Sequence, residues 1–145
     1  MEKFQKNNLK KIIELLNSSV NNIIVLGAGM SVESGITTFR GKNGLWTKYG
    51  VPKMDSYKKF LNNPEEWWNN EINMKMDKYI YELRHKINIA KPHSGHYIIS
   101  KLEKLGMING VITQNIDNLD HKAGIKNLIE IHGNCLLYTS DAADE

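Results

Sequence analysis

The sequence predicts an α/β protein: a Rossmann-like parallel sheet with helices on both faces, incomplete toward its C-terminal part. Three observations lead there. Short apolar runs at Ile23–Leu26, Val111–Thr113 and Leu128–Ile131 each stop at glycine or polar residues, as buried parallel strands do. Segments of helical spacing alternate with these runs. The chain has 145 residues, which is one domain or part of one.

The first 20 or so residues read as an amphipathic helix, with Leu9, Ile12, Ile13, Leu16 and Val20 on its apolar stripe. The strand Ile23–Leu26 runs into Gly27-Ala28-Gly29. Ser31, Glu33, Ser34 and Gly35 then suggest a turn into a short helix. Thr37 to about Asp55 lacks periodicity and is read as a long functional loop, because Phe39, Leu45, Trp46 and Tyr49 are unusual in a linker. A helical segment follows from Pro64 to Ile89, carrying Trp67, Trp68, Ile72, Met76, Ile80 and Leu83, and Lys91-Pro92 breaks it. Ser94 is the expected cap of the next helix, with Tyr97, Ile98, Leu102 and Leu105 as its stripe and Gly106 as its stop. After the second strand, Asn118 to Ala123 reads as a short helix closed by Gly124. The third strand ends at His132-Gly133.

Composition bounds the class. Hydrophobic residues make up 41% and charged residues 24%, which excludes full disorder, collagen and a membrane bundle. No apolar run approaches the ~20 residues of a membrane span, and no signal peptide is evident. One cysteine forms no intramolecular disulfide. The expectation is a cytoplasmic protein with no membrane partner. Net charge is +3, from 19 basic and 16 acidic residues that are scattered along the chain, so a nucleic-acid partner is not expected.

Lys, Asn and Ile contribute 17 residues each, and all lie at or before Asn134. The last 11 residues, CLLYTSDAADE, hold none. The expected division is therefore 1–134, a partial domain, and 135–145, a divergent tail from outside the same gene.

Ligands of open parallel sheets bind at the carboxyl ends of the strands. Those ends are Gly27-Ala28-Gly29, Thr113-Gln114-Asn115 and His132-Gly133. Two glycines suit a tight turn and close approach to a phosphate, although Val32 stands where the dinucleotide fingerprint has its third glycine. Arg40, one of two arginines, is a forked donor suited to phosphate or carboxylate. Gln114, Asn115 and Asp117 can read sugar hydroxyls and a carboxamide, or Asp117 can cap a helix. His132 can act as a general base near neutral pH. His85, His93, His96 and His121 are read as surface residues. Neither Ser31 nor Cys135 has a base partner by position, so nucleophilic catalysis is unsupported.

Together these segments resemble the sirtuins, the NAD-dependent protein lysine deacylases. The matching pieces are Gly27-Ala28-Gly29-Met30-Ser31, Ser34-Gly35-Ile36, Phe39-Arg40-Gly41, Gly44-Leu45-Trp46, Thr113-Gln114-Asn115-Ile116-Asp117, Ala123-Gly124 and His132-Gly133, in family order. The resemblance implies NAD as co-substrate and an acyl-lysine protein or peptide as partner. It implies cofactor contacts from Gly27, Ala28, Gly29, Ser31, Gln114, Asn115, Ile116 and Asp117, and from Phe39, Arg40 and Trp46 in and beside a mobile loop. It makes His132 the catalytic base that activates a ribose hydroxyl. Tyr81-Glu82-Leu83-Arg84 is similar to the Tyr-x-x-Arg motif of acidic-acyl deacylases, with Tyr81 and Arg84 as substrate contacts. Counting forward from Trp68 puts that slot near Glu71 and Met74 instead.

The departures are Thr37 for proline, Asp120 for histidine, and the region after Asn134. Sirtuins continue there with a zinc module of four cysteines. With Cys135 alone, no zinc site is expected in this chain. The 145-residue chain is accordingly expected to be inactive, and its incomplete sheet to aggregate through an exposed edge. The alternatives are an NAD glycohydrolase on the same fold, a non-catalytic NAD-binding module, and, more weakly, a dehydrogenase.

Overall fold

A computed structural model describes residues 2–51, 53, 55–72 and 78–135. Met74, Met76 and tail residues 136–145 lie outside the described residues, as do the side chains of Glu71 and Ile72. The chain forms two compact units. One joins the residues up to Ser31 to those from Lys91 onward, and the other is Val32–Ala90.

The first unit is built on a three-stranded parallel sheet. Helix α1 (Glu2–Ser18) leads to β1 (Ile23–Leu26). After the second unit come α6 (Ser94–Lys104), β2 (Gly110–Thr113), α7 (Leu119–Lys122) and β3 (Leu128–Glu130). The strand order is β1-β2-β3, with Leu26 opposite Thr113 and Thr113 opposite Glu130. All three carboxyl ends therefore lie on one edge, as the strand pattern predicts.

Pleat and register put Ile24, Leu26, Val111, Thr113 and Leu128 on one face. That face carries the core: Leu26, Ile99, Ile108, Val111 and Ile125, with Leu16 of α1 and Leu102 of α6 packed against it. The other face is bare among the described residues. Ile23, Val25, Ile129 and Ile131 are all more than half exposed. The parallel sheet flanked by helices is thus present, as the sequence predicts.

Two helical stripes also differ from expectation. Among the described side chains of α1, only Leu16 meets the core, and Leu9, Ile12 and Ile13 stay exposed. On α6 the buried positions are His96, Ile99 and Ser100, whereas Tyr97, Ile98 and Leu105 face solvent. The cap of α6 is His93, not Ser94. Gly106 (φ 69°) and Gly124 (φ 89°) do end their helices in the left-handed conformation, where glycine carries no Cβ penalty.

The second unit holds a 3-10 turn (Val32–Ser34) and four helices: α2 (Leu45–Tyr49), α3 (Ser56–Asn62), α4 (Pro64–Ile72) and α5 (Lys78–Ile89). The segment read as a loop from Thr37 contains α2, and α3 had no counterpart in the sequence reading. Phe60 and Trp67 stack edge to face between α3 and α4, with centroids 5.5 Å apart.

Candidate functional site

The β1 carboxyl end turns through Gly27–Ser31. Met30 N–H donates to Gly27 O at 2.9 Å and Ser31 N–H to Ala28 O at 3.3 Å. Neither Gly27 nor Gly29 has a positive φ, so backbone geometry does not demand glycine there. Of the two expected reasons, a tight turn is not required, and the space for close approach is present: a Cβ built on either residue meets nothing within 4 Å. That open space fits a phosphate or ribose lying against the backbone.

Behind the turn, three side chains from two strand ends lock together. Ser31 Oγ donates to Asp117 Oδ2 at 2.5 Å and accepts from Asn115 Nδ2 at 3.2 Å. Asn115 Nδ2 also donates to Gly27 O at 3.1 Å. Asp117 Oδ1 accepts Leu119 N–H at 3.0 Å, so the bond to the start of the next helix and the bond to Ser31 are held by different oxygens of one carboxylate. All three residues are buried. Ser31 has a carboxylate partner and no histidine base, so it is not an activated nucleophile. Gln114 is exposed at the same edge, its N–H bonded to Leu26 O, and Ile116 O accepts the Cys135 N–H at 2.9 Å.

Two histidines read as surface residues belong to this framework. His93 Nδ1 accepts Gly95 N–H at 2.9 Å, which leaves Nε2–H to donate to Met30 O at 2.7 Å. His96 Nδ1 accepts His93 N–H at 3.3 Å, completing a reciprocal capping box. His96 is fully buried, and its Nε2 has no hydrogen-bond partner among the described residues. Burial holds its pKa below the usual histidine range; His93 adds to this and Asp117 opposes it. The readable signal was the i, i+3 spacing of two side-chain acceptors directly after Pro92.

His132 lies two residues beyond β3 and is exposed. Beside it Asn134 is buried and donates to Glu130 Oε1 at 2.8 Å. Asp120, where the sequence resemblance leads one to expect histidine, is buried, and its Oδ1 has no hydrogen-bond partner among the described residues. Burial raises its pKa, against the hydrogen bond from Thr113.

In the second unit, the Thr37–Tyr49 segment closes on itself. Leu45 N–H donates to Thr38 O at 2.8 Å and Trp46 N–H to Phe39 O at 2.9 Å. Phe39 packs on Trp46 with centroids 5.5 Å apart, and the Arg40 guanidinium lies 5.0 Å from the Trp46 ring. Gly44 is required, since a Cβ there would sit 2.6 Å from the Arg40 carbonyl carbon. On α5, Tyr81 stacks on His85 and Arg84 is exposed. Among the described residues, no three His, Cys, Asp or Glu side chains are grouped to hold a metal ion, and no helix is long and apolar enough to cross a membrane.

A glycine turn backed by buried Ser, Asn and Asp lies at the carboxyl ends of parallel strands, where open α/β proteins take their ligands. Residues 27–143 match the Sir2 family, and the chain belongs to it. It is 43% identical over 125 residues to an NAD-dependent protein deacylase of Pyrococcus abyssi, covering 86% of this chain and 46% of that protein. It is 44% identical over 125 residues to an NAD-dependent protein deacetylase of Sulfolobus acidocaldarius, with the same coverage. A solved Sir2 complex with a p53 peptide and NAD+ superposes with a TM-score of 0.66 at 36% identity, covering 87% of this chain and 46% of that one. The chain spans about half the length of the curated relatives it matches.

Proposed function

We propose that this chain is the N-terminal part of an NAD-dependent protein lysine deacylase, working on acyl-lysine proteins or peptides in the cytoplasm. The observation that carries the reading is the Ser31–Asn115–Asp117 network behind open space at Gly27 and Gly29. NAD supplies an electrophilic ribose carbon from which the acyl-lysine oxygen displaces nicotinamide. Gly27, Ala28, Gly29 and Ser31 hold phosphates and ribose, Gln114 and Asn115 the ribose, and Ile116 and Asp117 the nicotinamide. Phe39, Arg40 and Trp46 serve the same cofactor from their own unit. His132 takes the proton of a ribose hydroxyl. Tyr81 and Arg84 are substrate residues only if the acyl group is acidic. We place the domain boundary after Asn134, which sequencing the source DNA beyond that codon tests.

The 145-residue chain is proposed to bind NAD without turning it over. Incubation with NAD and an acetyl-lysine peptide tests this: no deacylation and no nicotinamide release are expected. Deacylation would overturn the proposed inactivity. Nicotinamide release without peptide would favour the glycohydrolase reading.

A further inference from the structure

The Tyr81–Arg84 stretch of α5 contains a residue with a different task. Glu82 Oε2 accepts from Lys48 Nζ at 2.8 Å and from the Tyr49 hydroxyl at 2.6 Å. Its Oε1 accepts from Lys86 Nζ at 2.8 Å, and Lys86 Nζ also donates to Thr37 Oγ1 at 2.5 Å. Thr37 opens the segment that carries Phe39 and Arg40, and Lys48 and Tyr49 close it. Both ends therefore lead back to one carboxylate. Two lysines and a phenol around Glu82 hold its pKa down at about 2, so it stays ionised at neutral pH.

Beyond the burial of Leu45, the network gives the segment a polar anchor at both ends. Helix α2 has five residues, too few to persist alone. The internal bonds from Leu45 and Trp46 make a closed ring of chain but do not attach it to anything. An isolated exposed ion pair is weak, whereas one carboxylate shared by three donors forms a network.

We propose that Glu82 is a positioning residue that fixes the Phe39–Arg40 segment to α5 by gripping both of its ends. Its observed partners are Lys48, Tyr49 and Lys86. What the segment does for NAD rests on the proposed function, but the clamp is a property of the chain alone. Fixing the segment beforehand removes part of the ordering cost from the binding step.

Amide exchange of the NAD-free 145-residue chain tests this, so a failed function and a failed clamp are distinguishable. The readout is exchange at Leu45 and Trp46 relative to Val111 in β2. Glu82→Met is expected to raise that ratio about 10-fold, a local opening. Glu82→Gln, which keeps an acceptor without the charge, is expected to restore part of the protection. Trp46 emission, read in a Trp67→Phe/Trp68→Phe background, should move in the same order. An unchanged ratio in Glu82→Met overturns the proposal. If that variant does not fold, Lys86→Met, which frees only the Thr37 end, decides: a raised ratio supports the clamp and an unchanged one overturns it.

Discussion

The turn Gly27–Ser31 and the segment Thr37–Tyr49 are assigned to the same cofactor by resemblance, yet different physics holds each. Behind the turn, Ser31, Asn115 and Asp117 are at most 8% exposed. At the segment, the Glu82 side chain is 24% exposed and Lys48 57%. Hydrogen bonds in a low-dielectric interior are strong when made and costly when broken. Ion pairs at the surface are weak and screened by salt. The turn is therefore held by buried bonds, and the segment by a partly exposed network that salt can weaken.

The contrast can be broken most forcefully at Asp117. Asp117→Ala strands the buried Ser31 hydroxyl and the Leu119 N–H, and a loss of about 3 kcal/mol is expected. Urea unfolding measures it, and a loss below about 1 kcal/mol, the scale of an ordinary single hydrogen bond, would contradict a buried lock. His93→Ala removes one cap and the bond to Met30 O, for an expected loss of about 1 kcal/mol. Gly95→Ala should act on the same knot, because its Cβ would lie 2.5 Å from His93 Cε1. If the two changes add fully in the double variant, they do not share a mechanism.

The smallest effect belongs to the segment. Glu82 has its pKa lowered from 4.5 to about 2. A depressed carboxylate contributes stability that is complete above the unfolded value and lost as pH falls through the folded one. Protection at Leu45 and Trp46 should fade between about pH 4.5 and 2 and absent Glu82 should not. Salt at 1 M should loosen the same amides and leave the Ser31 amide unmoved, since the Debye length is then about 3 Å. Equal salt sensitivity at both places would erase the distinction.

Much of this was readable beforehand. The β-branched runs and their glycine stops gave the three strands and the shared edge, because strand burial is written directly in local composition. Asn115 and Asp117 stand out in the sequence as polar residues at a strand end, but their bonds with Ser31 do not, since they join residues more than 80 positions apart. His93 and His96 were misread because polarity argued for the surface, whereas capping and burial drew them in. Helix α3 was missed because seven residues give too little periodicity. The continuous apolar run in β1 announces burial on both sides. Among the described residues Val25 is nonetheless left 65% exposed. A bare apolar face of this kind marks an interaction surface or an aggregation liability.

The most direct test of the nucleotide-binding turn is an amide NMR titration of the chain with NAD, beside Gly29→Val. A side chain at Gly29 meets no protein atom within 4 Å, so the variant should fold as before while filling the ligand's space. The expected result is shifts at Gly27–Ser31 and Gln114–Asp117 in the parent chain, lost in the variant. No shifts there at millimolar NAD, or shifts that survive Gly29→Val, would contradict a nucleotide site at this turn.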